Sequence, residues 1–301
     1  MSKQSPTCIA TTSIDTSQAL MNSPVGAAFL LGVAANPDIP LERFAEPRAS
    51  FWLAANAMDF CDPHRDAGWP EVALREARAY ARLAQQIVRH PAFKWWWEPV
   101  NLSAQAWCSP QMPNSPDPEK AFDPEAWRTP VANRDGVPDA MRQATSTMLD
   151  GSSSEWTTFA LGVGERVCRF PLAVWHLRFL SQPRIWEIVG PQDWHRLCRR
   201  YPCRSEDGRL VPDWPKVAQE WDGVHLTLGG MLTTEQVLWE ASGECTELRW
   251  WQCELTTWLN QLPVEGERLP GVPERHNDHD FRAFPYDQAN LTRGPGSFRL
   301  T

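Results

Sequence analysis

Ala173-Val174-Trp175-His176-Leu177-Arg178-Phe179-Leu180 decides the fold class. Ala173, Trp175, Leu177 and Phe179 fall on one side of it, and Val174, His176 and Arg178 on the other. A period of two belongs to a half-buried β-strand, because successive side chains point to opposite faces of the pleat. Working downstream, Arg184 to Val189 reads as a second strand, Gly190-Pro191 breaks the chain, and Gln192 to Arg200 is helical. Asp213 is placed to N-cap a helix that exits at Asp222-Gly223. Val224 to Leu228 is a strand, and Thr233 with Gln236 has the spacing of a capping box for a short helix. Glu247 to Leu259 supplies the last strands, and upstream Gln143 to Leu149 reads as one more.

The first part of the chain has a different period. Glu71 to Arg89 predicts an amphipathic helix: Pro70 suits its first turn, and Ala73, Ala77, Tyr80, Ala84, Ile87 and Val88 share one face. His90-Pro91 ends it, since proline disfavours helix in the residue before it. Phe93 to Cys108 reads as extended, and residues 1–24, polar and without period, as disordered. Val25 to Ala35 is apolar but far shorter than the roughly 20 residues of a membrane-spanning helix, so it is a buried segment. Pro110 to Pro138 holds seven prolines, and loops of that length tend to be lids or linkers. The expected architecture is α+β. A mainly helical part (25–108) is followed by a Pro-rich linker or lid (109–140), a mixed α/β sheet region (141–262) and an extended tail (263–301).

Composition limits the function classes. A net charge of -8 argues against general nucleic-acid or anionic-membrane binding. Arg196, Arg199, Arg200 and Arg204 form either a solvated helix face or a local phosphate site. Eight cysteines without a CxxC pair, and no signal-like N-terminus, predict reduced thiols in a cytoplasmic protein. The 17 tryptophans against 3 tyrosines predict a Trp-rich core, with one or two rings free to line a cleft.

The chemistry-bearing residues are few. Glu254 stands directly before the apolar Leu255-Thr256-Thr257-Trp258-Leu259, where an acid either faces solvent or has a function. Thr145-Ser146-Thr147 puts hydroxyls on both faces of a strand, to orient a polar ligand or to bond locally. His225 lies mid-strand, either as a satisfied imidazole or as a group that exchanges its proton near neutral pH. His276, His279 and Asp280, or His195, Cys198 and Cys203, have ligand types at plausible spacing but no complete zinc set.

The order of a hydroxyl-triplet strand, a histidine strand and a late glutamate resembles the ADP-ribosyltransferase family. Thr145-Ser146-Thr147 is similar to that family's Ser-Thr-Ser strand, and Glu254 to its late catalytic glutamate. Val224-His225-Leu226-Thr227 is similar to the histidine strand of the related RNA 2'-phosphotransferases. The resemblance covers roughly residues 140–260. It implies NAD as substrate, bound in a cleft between small sheets, with Glu254 on a ribose hydroxyl and the triplet supporting the nicotinamide side. Gln252, two residues before Glu254, would place a side-chain acceptor on a protein partner. Arg142 stands nearest to the family's first-strand basic residue. The alternative is a non-catalytic protein-binding scaffold with a Trp-rich surface.

Overall fold

The computed structural model describes residues 15–61, 68–109, 144–148, 173–249, 251 and 253–269. Helix α1 (Thr16–Asn22) starts at Asp15, whose carboxylate accepts from the Ser17 amide, and it buries Ser17, Ala19 and Leu20. Residues 15–24 are therefore structured, which corrects the expectation there, and residues 1–14 lie outside the described residues. Seven residues are too few to show a helical period. Ser23 caps α2 (Pro24–Ala34) by accepting from the Gly26 amide, and Pro24 suits the first turn because its missing N–H would have no helical partner. Residues Pro24 to Val33 are all buried, as befits a helix apolar on every side. After α3 (Leu41–Phe44) and α4 (Pro47–Phe60), α2 lies against α4 and α5 (Trp69–Ala77).

The helix expected over Glu71–Arg89 is present in two pieces, α5 and α6 (Ala81–Arg89), joined by a 3-10 turn at Arg78–Tyr80. Ala73, Ala77, Ala84 and Ile87 form its buried face. The extended reading of Phe93 onward is corrected: Pro91–Trp97 is a 3-10 helix. Its period of three puts Phe93 and Trp96 on one side, where Trp96 meets Phe93 and Phe29 edge-on at 4.6 and 5.1 Å. Extended structure starts only at β1 (Gln105–Ser109).

Among the described residues one mixed sheet of seven strands runs in the order β11-β3-β1-β2-β10-β7-β4. Its other members are β2 (Ala144–Thr147), β3 (Ala173–Phe179), β4 (Ile185–Ile188), β7 (Gly223–Leu226), β10 (Leu255–Trp258) and β11 (Val264–Arg268). All neighbours are antiparallel except β4 and β7. A parallel pair needs a crossover. It is made by α7 (Pro191–Arg200), the hairpin β5 (Pro202–Arg204) and β6 (Leu210–Pro212), and α8 (Trp214–Glu220). Asp213 caps α8 as expected, accepting from the Lys216 amide.

Three expectations near the C-terminus are corrected. Helix α9 (Leu228–Thr234) begins at Thr227, whose hydroxyl accepts from the Gly230 amide, so Thr233 lies in its last turn and starts no helix. The strands expected over Glu247–Leu259 shrink to β10. A separate hairpin, β8 (Trp239–Ala241) and β9 (Glu244–Thr246), turns through Ser242 and Gly243, both at positive φ (55° and 75°), which suits a two-residue hairpin. Val264–Arg268, expected as tail, is edge strand β11 paired with β3.

The architecture is α+β. Strand β1, from the helical part, sits between β3 and β2, and one core joins Leu20, Phe29 and Trp96 to Val224, Leu226 and Leu255. The helical and stranded parts therefore share one interior. Residues 110–143, most of the Pro-rich stretch, lie outside the described residues. The sheet's second face carries a smaller cluster, Trp107, Trp175, Leu177, Trp258 and Leu262. Among the described residues no helix is long and apolar enough to cross a membrane.

Candidate functional site

Strand pairing decides which polar residues meet. Thr256 of β10 lies opposite His225 of β7 on one side and Thr145 of β2 on the other. His225 is in register with Glu187 of β4, and Thr147 with Gln105 of β1. Directly paired residues present their side chains on the same face. Gln105, Thr145, Thr147, Thr256, His225 and Glu187 therefore form a polar strip across five adjacent strands. It shares a face with the smaller aromatic cluster.

Glu254 sits at the entry to β10 in the middle of this strip, only 4% exposed. Its Oε2 accepts from the Ser146 hydroxyl at 2.6 Å and from the Thr147 amide at 3.0 Å. Its Oε1 accepts from the Thr147 hydroxyl at 2.7 Å and lies 3.0 Å from His225 Nε2. A carboxylate has about four lone-pair positions, and this one uses them all. Burial alone would raise its pKa; the His225 contact and the two hydroxyls outweigh that and hold it below the usual carboxylate value.

His225 is buried as deeply as Glu254, and its Nδ1 lies 2.5 Å from Glu187 Oε2. Glu187 Oε1 accepts in turn from the Val100 amide at 3.0 Å. Burial would lower the imidazole pKa, but hydrogen bonds to Glu187 and Glu254 reverse the effect and raise it to about 9. That direction favours the protonated ring, which lies between Glu187 and Glu254. On the other side the network continues. Gln105 Nε2 donates to Thr147 Oγ1, Thr145 Oγ1 donates to Gln105 Oε1, and Trp258 Nε1 donates to Thr145 Oγ1. One hydrogen-bonded chain thus links Trp258, Thr145, Gln105, Thr147, Glu254, His225, Glu187 and Val100.

The structure brings together Thr145, Ser146, Thr147, His225 and Glu254. Gln252 and Arg142 lie outside the described residues. Sequence reasoning missed Glu187 and Gln105. For Glu187 a signal was available: an acid between Trp186 and Ile188 in an apolar strand, which is the pattern that singled out Glu254. Gln105 has no comparable signal. Thr256 was seen only as part of an apolar run. Its hydroxyl is buried on the same strip with no hydrogen-bond partner among the described residues. A groove of about 690 Å³, lined by Lys94, Trp97, Glu98, Pro99, Val100 and Asn101, adjoins the Glu187 end through Val100.

Other candidates resolve differently. Arg196, Arg199, Arg200 and Arg204 pair with Asp193, Glu244, Glu220 and Glu244 respectively, the paired and solvated face that the sequence allowed. His195 Nδ1 meets the Thr246 hydroxyl at 3.2 Å, Cys198 is buried and Cys203 exposed. Among the described residues no group of three or more His, Cys, Asp and Glu could hold a metal ion. His276, His279 and Asp280 lie outside them. The described tryptophans are buried or half-buried, none exposed, and Trp96, Trp194, Trp214, Trp239, Trp251 and Trp258 are among the largest fully buried side chains. Leu180 is the one exposed large hydrophobic among the described residues, and Trp52, Trp69, Trp95, Trp97, Trp186 and Trp221 are the half-buried tryptophans. No family model matches the chain, and neither a curated protein nor a solved structure is significantly similar to it.

Proposed function

We propose that this chain transfers ADP-ribose from NAD to an acceptor, with Glu254 as the carboxylate that stabilises the ribosyl cation. The supporting observation is convergence: the hydroxyl triplet, the histidine strand and the late glutamate meet within hydrogen-bond distance although Ser146 and Glu254 are 108 residues apart. In the reaction the bond from ribose C1' to the nicotinamide nitrogen breaks. Its electron pair leaves with nicotinamide, which becomes neutral. The oxocarbenium-like ribose is captured by the acceptor nucleophile, which then loses its proton. An ionised carboxylate beside the ribose binds this state more tightly than the ground state, and that difference is what accelerates the step.

Glu254 is already saturated, so a ribose hydroxyl must replace one donor. The Thr147 hydroxyl is the one to yield, because Thr147 is half-buried whereas Ser146 and His225 are fully buried. Thr256, whose hydroxyl has no partner among the described residues and lies on the same face, offers the ligand a second contact. The acceptor is a small molecule or a protein side chain, and the setting is the cytoplasm.

Nicotinamide release from NAD, measured with and without candidate acceptors, tests the proposal. Wild-type protein is expected to turn NAD over, and Glu254→Gln to lose at least about 100-fold, the scale of removing one transition-state electrostatic contact. No turnover by the wild type, or equal turnover by a folded variant, refutes it. A second reading has one observation in its favour: a carboxylate with every lone pair engaged is also what a purely structural brace looks like. In that case the protein is non-catalytic. NAD then produces no saturable quenching of tryptophan fluorescence, and Glu254→Gln lowers only stability.

A further inference from the structure

We propose that Glu187 is a positioning residue that fixes His225 as the doubly protonated imidazolium and thereby keeps Glu254 ionised and oriented. The inference rests on the Glu254-centred reading of the site and adds to it a residue that does not touch substrate.

The geometry leaves the ring little choice. His225 Nδ1 is 2.5 Å from a Glu187 oxygen, and Nε2 is 3.0 Å from a Glu254 oxygen. Ionised carboxylates only accept. A neutral imidazole would point one lone pair at a carboxylate oxygen, and the ring is only 2% exposed. With both nitrogens donating, every contact is charge-assisted. Among the described residues the charged groups that face the ring are Glu187 from β4 and Glu254 at the entry to β10. Lys94 and Glu98, on the segment carrying Val100, pair with each other at 3.4 Å. The remaining strip neighbours, Thr145, Thr147 and Thr256, carry no charge.

Glu187 is itself held. The Val100 amide donates to its second oxygen, which stops the side chain from swinging outwards. Its side chain is 25% exposed, against 3% and 5% for His225 and Glu254. Among these three groups Glu187 is therefore the one most open to solvent. If Glu187 were neutral, His225 would lose one of the two anions that keep it protonated. Glu254 would then face a neutral ring, with less reason to stay ionised in a buried place.

Nitrogen-15 spectra of imidazole-labelled protein test this, with the His225 signals identified by their loss in His225→Gln. In wild type both His225 ring nitrogens are expected to be protonated at pH 8. In Glu187→Gln the titration midpoint should fall by more than one pH unit, and Glu187→Asp should restore part of the difference. The alkaline limb of the kcat profile for NAD cleavage should move down with that midpoint while KM changes less than threefold. A neutral His225 in the wild type at pH 7.5, or an unmoved midpoint in the glutamine variant, overturns the proposal. The wild-type spectrum decides by itself if that variant does not fold. Absence of NAD cleavage removes the catalytic reading, but the spectra still decide whether Glu187 sets the state of His225.

Discussion

His225 should make this protein's stability fall as pH rises from neutrality into the alkaline range. The imidazole is raised from 6.5 to about 9 by its two carboxylate partners. A group whose pKa is higher folded than unfolded contributes fully below the unfolded value and stops contributing as pH passes the folded one. The window is therefore about pH 6.5 to 9. At ~1.4 kcal/mol per pH unit the contribution is on the order of 3 kcal/mol. The lowered pKa of Glu254 comes in part from the same contact seen from the partner, with the Ser146 and Thr147 hydroxyls adding to it, so the two are not added. Its sign is opposite: that contribution is present above the unfolded carboxylate value and disappears as pH falls through the folded one. Urea unfolding followed by tryptophan fluorescence at pH 6.5, 7.5, 8.5 and 9.5 measures the effect. His225→Gln supplies the reference that cancels cysteines, tyrosines and every other shared titration. The stability difference between wild type and variant should shrink by on the order of 3 kcal/mol across this range. A difference that stays constant from pH 6.5 to 9.5 would show that His225 is not a cation in the folded protein.

Gly26→Ala should destabilise the fold by about 1–3 kcal/mol, because a methyl there would collide with the backbone carbonyls of Leu20 and Leu232, which cannot move as a side-chain tip can. Thermal and urea midpoints check it, and a variant of wild-type stability would mean that α1, α2 and α9 pack less closely. Cysteine labelling at pH 8, read by peptide mass spectrometry, should modify exposed Cys203 within minutes. Buried Cys61 and Cys198, their thiol pKa values pushed up by burial, should react only on unfolding. Equal labelling rates for the three would contradict that burial pattern.

Much of this architecture could be read from local pattern. Alternation located β3, the flanking prolines and apolar positions located α5 and α6, and Asp213 located the start of α8. Readings failed where the signal was short or shared. Three adjacent tryptophans suited a strand as well as the 3-10 helix they form, and Thr233 had capping spacing but no free helix start to cap. In the site, Glu254, His225 and the hydroxyl triplet stood out because polar groups in apolar strands need an explanation.

What the sequence determined by itself was residue type against local period: which segments extend, which coil, and which polar side chains the strands carry inward. Only the tertiary structure decided who meets whom. The order β11-β3-β1-β2-β10-β7-β4 brings together strands distant along the chain, so Glu187, His225, Glu254, Thr147 and Gln105 become neighbours through hydrogen-bond register. The physical reason is that periodicity is a property of a few consecutive residues. The ionisation of a buried imidazole is set instead by the charges placed beside it, and here those charges arrive on other strands.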